Sequence, residues 1–473
     1  MEKNSLGNPA VELNGPDNNS NGEDSKLKLR ERIALSVGGM VGTAHLQMVS
    51  MFLLFFYTDV MLINPAFVAG LFLFARAFDA FAAPFFGIFI DKVNTPWGKY
   101  KPWLLILGIF TGVTGWMTFT DFNLSPTMQL VYVTITYLLY SLSIAIGQAP
   151  GSAILPAATK RVDDRIAIGT FSYILVLVGA MFVSVGVQPL YSGLGGGNDA
   201  TGFSMLMGGV AVIGILITVF QVLTIKERYI TKKKNDEKQP SLKTMLVAVF
   251  TNKAAVTIYI YILALNLANG VRSGIMIHYF KYYFNNEALI VTVGSVTIVP
   301  MILGAILSPL ITKRIGIKAN VLLAAAVNVV TMVAVFFIPA SPAGVTAFIA
   351  ISVFGSLFTG FSSPAQSAMM PAAMDYTEWK SGINVNAFMG SLQGFVQTFA
   401  GAIAGSVAAG ALAVIGYEPG VEQSDGTLLG LKIIMSFLPA FIIAFTASVA
   451  WFDLTEDRQK QIAKDLAERR NND

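Results

Sequence analysis

The chain contains no cysteine and only two histidines, His45 and His278. That excludes disulfides, thiolate metal centres, haem-attachment motifs and zinc sites built from Cys and His, so no resident cofactor is expected. Charge is also scarce: Asp, Glu, Lys and Arg make up 13% of 473 residues, about half the share in an ordinary soluble domain. No GxxxxGK[ST] phosphate loop occurs, which argues against ATP as the driving force. No nucleophile–base pair or metal cluster marks an enzyme.

Apolar residues take the place of what is missing. They form 54% of the chain and fall into runs of about 20 or more residues, long enough to cross a bilayer. Twelve such runs lie near 33–57, 66–90, 102–120, 127–149, 166–190, 203–224, 255–280, 288–311, 319–338, 343–370, 386–414 and 430–451. The expected class is an all-α membrane protein of twelve transmembrane helices, in contact with membrane lipids. The net charge of +4 does not point to nucleic acid, because the basic residues follow alternate connections. Lys26, Lys28, Arg30, Arg32, Lys92, Lys99, Lys101, Lys160, Arg161 and Arg165 fall on one side, as do eight basic residues between 225 and 253. The opposite connections hold Lys281 alone. By the positive-inside rule both termini are cytoplasmic, and the protein belongs in the cytoplasmic (inner) cell membrane. Residues 1–26, polar and without a signal-peptide core, read as a disordered tail.

The charged connection 226–252 divides the helices six and six, giving halves at 27–225 and 253–452 and a tail at 453–473. An internal repeat supports the division. Ser152-Ala-Ile-Leu-Pro-Ala-Ala158 ends the fourth run, and Ser367-Ala-Met-Met-Pro-Ala-Ala373 ends the tenth, with five of seven positions identical. Parallel halves related by an axis along the membrane normal are the architecture of major-facilitator transporters, with substrate bound between the halves near the midplane.

Polar residues inside these runs are the candidate site. Arg76 and Asp79 stand at i, i+3 on one face of the second run. An ionised group there costs roughly 2.5–3.5 kcal/mol on insertion scales and normally faces protein or a wet cavity. Asp79 is the candidate for a coupling sodium ion or proton and Arg76 its partner, with a purely structural ion pair as the competing account. His45 in the first run titrates near neutral pH and could contact substrate or relay a proton, against a structural, hydrogen-bonded role. Asn386, Gln393 and Gln397 share a face of the eleventh run and suit a hydroxyl-rich ligand. Interhelical hydrogen bonding is the rival explanation for them. Asn266, Asn269 and Arg272 cluster beside Gly270 in the seventh run, where a broken helix would offer backbone groups to substrate.

Tyr57-Thr58-Asp59-Val60, Arg76-x-x-Asp79-Ala80, Trp97-Gly-Lys-Tyr-Lys-Pro-Trp103, Lys160-Arg161, the stretch Arg272 to Phe284, and Asp375-Tyr376-x-Glu378 together resemble the glycoside–pentoside–hexuronide cation symporters, the melibiose permease family. The resemblance implies a monomeric secondary transporter moving a glycoside, pentoside, hexuronide or related sugar by alternating access. It also carries departures. The second carboxylate of the family's cation site falls on Ala83, a nearby lysine on Thr398, and two sugar-binding carboxylates on Thr43 and Gln148. Joint loss of acids and base avoids a buried uncompensated charge, weakens the case for sodium and favours a proton at Asp79 or no coupling. Gln148 remains a candidate sugar contact, and Arg272 suits an anionic substrate such as a hexuronide. An uncoupled facilitator, a lysolipid carrier and a transporter-like sensor are the alternatives.

Overall fold

The computed structural model describes residues 27–92, 95, 97–159, 161–228, 241–383, 385–454 and eight positions between 458 and 468. Some helical side chains, those of residues 80–92 and Gln148 among them, lie outside that description. The described chain is helical almost throughout. Its helices are α1 (Leu29–Met48), α2 (Pro65–Lys92), α3 (Lys101–Thr118), α4 (Pro126–Ala158), α5 (Val162–Met181), α6 (Val187–Gly195) and α7 (Asp199–Thr224). After a charged connection come α8 (Leu242–Phe250), α9 (Lys253–His278), α10 (Leu289–Ile315), α11 (Ile317–Phe336), α12 (Pro342–Ser381), α13 (Asn386–Val414) and α14 (Asp425–Ala444).

Twelve crossings result, because α5 and α6 join through a π-helical turn at Phe182–Gly186 and the nine-residue α8 only leads into α9. Ten crossings are long and apolar enough to span a membrane, judged on the described residues. The other two, α2 and α3, sit among them, α2 against α4 and α13 and α3 against α4 and α7. Local chemistry sets the helix starts. The side chains of Asn198, Ser241, Asn252, Ser341 and Ser424 accept from backbone N–H groups of the first turns that follow, satisfying donors that have no partner within the helix.

The start of α3 has a different cap. Glu227, at the start of the charged connection after α7, accepts from the backbone N–H groups of Lys99, Tyr100 and Lys101 at 2.7, 2.9 and 2.8 Å. A carboxylate here meets both the free donors and the positive end of the helix dipole. Gly98, at φ +123°, must be glycine, since a Cβ there would lie 2.6 Å from Glu227 Oε1. Glu227→Gln is therefore expected to lower stability by about 1–2 kcal/mol, read as a reduced thermal midpoint of the purified protein.

The first half packs through α1 on α5 and α7, α3 on α4 and α7, and α2 on α4; the second through α10 and α11 on α12, and α9 on α13 and α14. α10 and α12 come into backbone contact where they cross. A Cβ on Gly304 would lie 2.1 Å from Leu357 O, and one on Gly360 would lie 2.0 Å from Met301 O. Small residues let helix backbones touch where lipid supplies no hydrophobic drive. Gly360→Ala is expected to force the pair apart at a cost of ~1–3 kcal/mol, visible as a lower melting midpoint in detergent.

The halves meet unequally at the two ends of the bundle. Call the end carrying Leu29 and Phe452 the terminal end and the opposite one the distal end. Between halves, α2 packs on α13, the π turn Val49–Leu53 on α9, and Phe182–Gly186 on α10. The distal core is shared: Phe52, Phe55, Phe56, Phe119, Tyr191 and Phe203 from the first half join Tyr279, Phe280 and Phe348 from the second. At the terminal end the cores are separate. One holds Ala34, Ile154, Ala158 and Ile225, the other Val249, Ala373, Met389, Ile462 and Leu466. Among the described residues, the halves are fastened distally.

Candidate functional site

The distal fastening is polar at its centre. α1 and α9 end alike: each passes through a π-helical turn, Phe56–Val60 or Tyr279–Tyr283. Each then reaches a residue of positive φ, Leu62 at 57° or Asn285 at 51°. The closing hydrogen bonds also match, Ile63 N to Tyr57 O at 2.8 Å and Asn286 N to Phe280 O at 2.9 Å. This correspondence sets Asp59 opposite Tyr282 across the interface between halves, and the Tyr282 hydroxyl donates to Asp59 Oδ1.

Asp59 gathers four further groups. Lys281 Nζ lies 3.2 Å from Oδ1, the Tyr417 hydroxyl donates to Oδ2 at 2.6 Å, and Thr58 Oγ1 donates to Oδ2 at 2.9 Å. His278 Nε2 lies 3.2 Å from Oδ2 and 3.0 Å from Thr58 Oγ1. The Asp59 and His278 side chains are both fully buried. Lys281 also reaches Glu287 at 3.6 Å, and Tyr191 of the first half donates to Glu287 at 3.2 Å. Asp59 lies beyond the Leu29–Leu53 span. Burial by itself would raise its pKa, but His278, Lys281 and Tyr282 outweigh burial and hold the carboxyl well below the usual carboxylate range. A depressed acid contributes its stabilisation above its ordinary pKa and loses it only as pH falls through the depressed value. The Asp59 carboxylate therefore stays charged across the physiological range.

In the first half, Arg76 Nη1 donates to Asp79 Oδ2 at 3.0 Å, so the i, i+3 pairing forms. Ser141 of α4 donates to the same oxygen, and Arg76 Nη2 lies 3.5 Å from the Tyr137 hydroxyl. Among the described residues, Asp79 Oδ1 is buried without a hydrogen-bond partner. A buried carboxylate oxygen with no donor is the kind of atom that takes up a proton or ligates a cation. Among the described residues no three His, Asp or Glu side chains group as a metal site.

The second half contains a cavity of about 370 Å³ between α9, α12 and α13. Its polar lining is Tyr261, Asn266, Gln366, Ser367, Gln393 and Gln397, and its apolar lining includes Ile258, Leu265, Met370 and Met374. Gln366 and Asn266 are partly occupied, donating to Ser362 Oγ and Ile262 O at 2.8 Å each. The two glutamines of α13 thus reach one cavity, while Asn386 on the same stripe donates to Glu378 at 3.1 Å. α9 is an unbroken helix through Gly270, so the backbone groups that a broken helix would offer substrate are not freed there: a Cβ at Gly270 would lie 2.6 Å from Ala404 Cβ, and this glycine serves close approach to α13. Asn269 is exposed and Arg272 half-buried, both on α9.

His45 does not join this cavity. It is buried in the first half, 3.3 Å from where a Cβ on Gly115 would stand, and its Nδ1 lies 3.1 Å from Val41 O. The side chains of Gln148 and Ala83 lie outside the described residues. The distal cluster was missed from the sequence, although one signal was present: Lys281 is the single basic residue in the connections that otherwise lack them.

The model of a family described as MFS/sugar transport protein matches residues 36–456. The isoprimeverose transporter of Lactiplantibacillus pentosus is 29% identical over 441 residues, 93% of this chain and 91% of that protein. The inner membrane symporter YicJ of Escherichia coli (strain K12) is 28% identical over 455 residues, 93% of this chain and 95% of that one. A crystal structure of a D-xylose–proton symporter superposes with a TM-score of 0.59 at 12% identity, covering 90% of this chain and 99% of that chain, which speaks to the fold. Twelve crossings in two packed halves, a cavity lined with amides and these likenesses agree. The chain belongs to the MFS/sugar transport protein family and is a multi-pass membrane sugar transporter of major-facilitator type, not an enzyme.

Proposed function

We propose that this protein is a cation-coupled symporter that carries a glycoside, pentoside, hexuronide or related sugar across the cytoplasmic membrane by alternating access. In this reading the terminal end is cytoplasmic, in keeping with its basic connections, and the halves 27–225 and 253–452 rock against each other. Asp79 holds the coupling proton or sodium ion with Arg76 as its partner, and Gln393 and Gln397 hold sugar hydroxyls. The observation that carries the reading is the amide-lined cavity of about 370 Å³. It is within the size range of small-molecule sites and lies in a bundle whose described residues fasten the halves at the distal end, the arrangement of a carrier open to one side. Neutral amides offer donors and acceptors for hydroxyls without the desolvation cost of a charge.

Uptake of labelled sugars into proteoliposomes, with and without an imposed potential and sodium or pH gradient, tests this. One charge moving through ~100 mV is worth about 2.3 kcal/mol, enough to concentrate a neutral solute a few tens-fold. Accumulation that collapses with one gradient identifies the ion; equilibration under every gradient replaces symport by facilitation. Gln393→Ala and Gln397→Ala are each expected to raise KM about 3- to 10-fold, the worth of a neutral hydrogen bond. The accumulation ratio should stay unchanged.

A further inference from the structure

Arg272 stands apart from the other cations of the bundle interior. Arg76 and Lys281 each have a carboxylate within reach, Asp79 at 3.0 Å and Asp59 at 3.2 Å. Lys432 lies over the rings of Tyr283 and Phe336, 5.3 and 5.1 Å from their centroids. Arg272 has none of these: among the described residues no carboxylate, hydrogen-bond acceptor or aromatic face is paired with it. An unpaired guanidinium at membrane depth costs roughly 2.5–3.5 kcal/mol, so a protein that keeps one has a use for it.

Its position on α9 indicates the use. Ile258, Ile262, Leu265 and Asn266 line the amide cavity, and positions three, four and seven apart share a helix face. Arg272 follows Leu265 by seven and is the first cation met beyond the cavity on that face; exposed Asn269 stands between them. Arg272 lies six positions beyond Asn266, a rise of ~9 Å. Cα–Cβ bonds on a helix tilt toward its N-terminus, which for Arg272 is the cavity side. One further step of seven along the face reaches Tyr279, whose buried hydroxyl also has no hydrogen-bond partner among the described residues. The distal acids are already committed: Asp59 and Glu287 are engaged by Lys281 and by tyrosines.

We infer that Arg272 is an anion subsite above the amide cavity, and that the preferred substrate is a sugar derivative with one carboxylate or sulfonate group. The hydroxyls rest against Gln393, Gln397 and Asn266, and the acid group takes the planar fork of the guanidinium, which matches two oxygens at once. The inference rests on the sugar-transport reading and narrows it to sugar acids.

The test is binding and uptake by the full-length protein, in detergent and in proteoliposomes, of three probes: methyl β-D-glucuronide, methyl β-D-glucoside and a sugar 6-sulfonate. The wild type is expected to prefer one or both anionic probes over the neutral glucoside. Arg272→Gln should weaken the anionic probes about 10- to 100-fold, the loss of hydrogen bonds to a charged group, and the neutral probe less than about 3-fold. Arg272→Lys should recover part of the anionic affinity. A preference for carboxylate or for sulfonate identifies the group and supports the subsite. Neutral glucoside carried while both anions are refused overturns the inference and leaves the transport reading standing, as does an equal loss for all three probes in Arg272→Gln. Failure of all three probes with the wild type overturns both.

Discussion

Asp79→Asn is expected to reduce concentrative uptake to simple equilibration while exchange of sugar across the membrane continues. Asp79 has one oxygen held by Arg76 and Ser141 and the other buried without a partner among the described residues. The free oxygen is where a proton or cation would reside, and an amide can accept neither a proton nor a cation's charge at ordinary pH. Loss of the ion removes the drive of about 2.3 kcal/mol per charge per 100 mV, so the accumulation ratio should fall from tens-fold to one. The substitution also strands Arg76, and breaking a buried pair from one side costs ~3–5 kcal/mol. The double variant Asp79→Asn with Arg76→Gln removes both charges and keeps the test interpretable if the single variant folds poorly. Accumulation retained by the double variant would remove the pair from coupling.

Asp59→Asn is expected to release the distal end. The carboxylate ties Thr58 of its own half to His278, Lys281, Tyr282 and Tyr417 of the other. Neutralising it takes from Lys281 the nearer of its two carboxylates, leaving Glu287 at 3.6 Å, and weakens both tyrosine hydrogen bonds, since bonds to an ionised acceptor are about twice as strong as neutral ones. A loss of ~3 kcal/mol from the distally closed state moves the balance between open and closed forms about a hundredfold. The absence of cysteine makes the measurement direct. Spin labels at Ala66→Cys and Val421→Cys, exposed positions on opposite halves near the distal end, should report a longer distance in Asp59→Asn than in the parent. An unchanged distance distribution would mean that the apolar distal core, not the charge cluster, holds that end shut.

Hydropathy, charge placement and one repeated heptapeptide were enough to read a membrane protein of twelve helices in two halves, because the bilayer allows few solutions for a polar backbone and marks each crossing with an apolar run. Spacing along a helix was equally legible. Arg76 and Asp79 pair as i, i+3 residues, and Gln393 and Gln397 line one cavity as i, i+4 residues. Helical periodicity is local, so one sequence suffices to see it. The integrity of α9 at Gly270 was not legible, since a glycine in a helix serves either a break or a close approach, and only the presence of Ala404 decides between them.

What tertiary structure alone decided was which distant residues share a site. The partners of Asp59 lie as many as 222 to 358 positions away along the chain, and no periodicity links them. They meet because two matching helix ends come together across the interface between halves. The same holds for the isolation of Arg272. A sequence can show that a cation lies inside an apolar run, but only the packed bundle shows that, among the described residues, no acid is paired with Arg272 while Asp59 and Glu287 are engaged by Lys281, and our inference of an anion subsite rests on that.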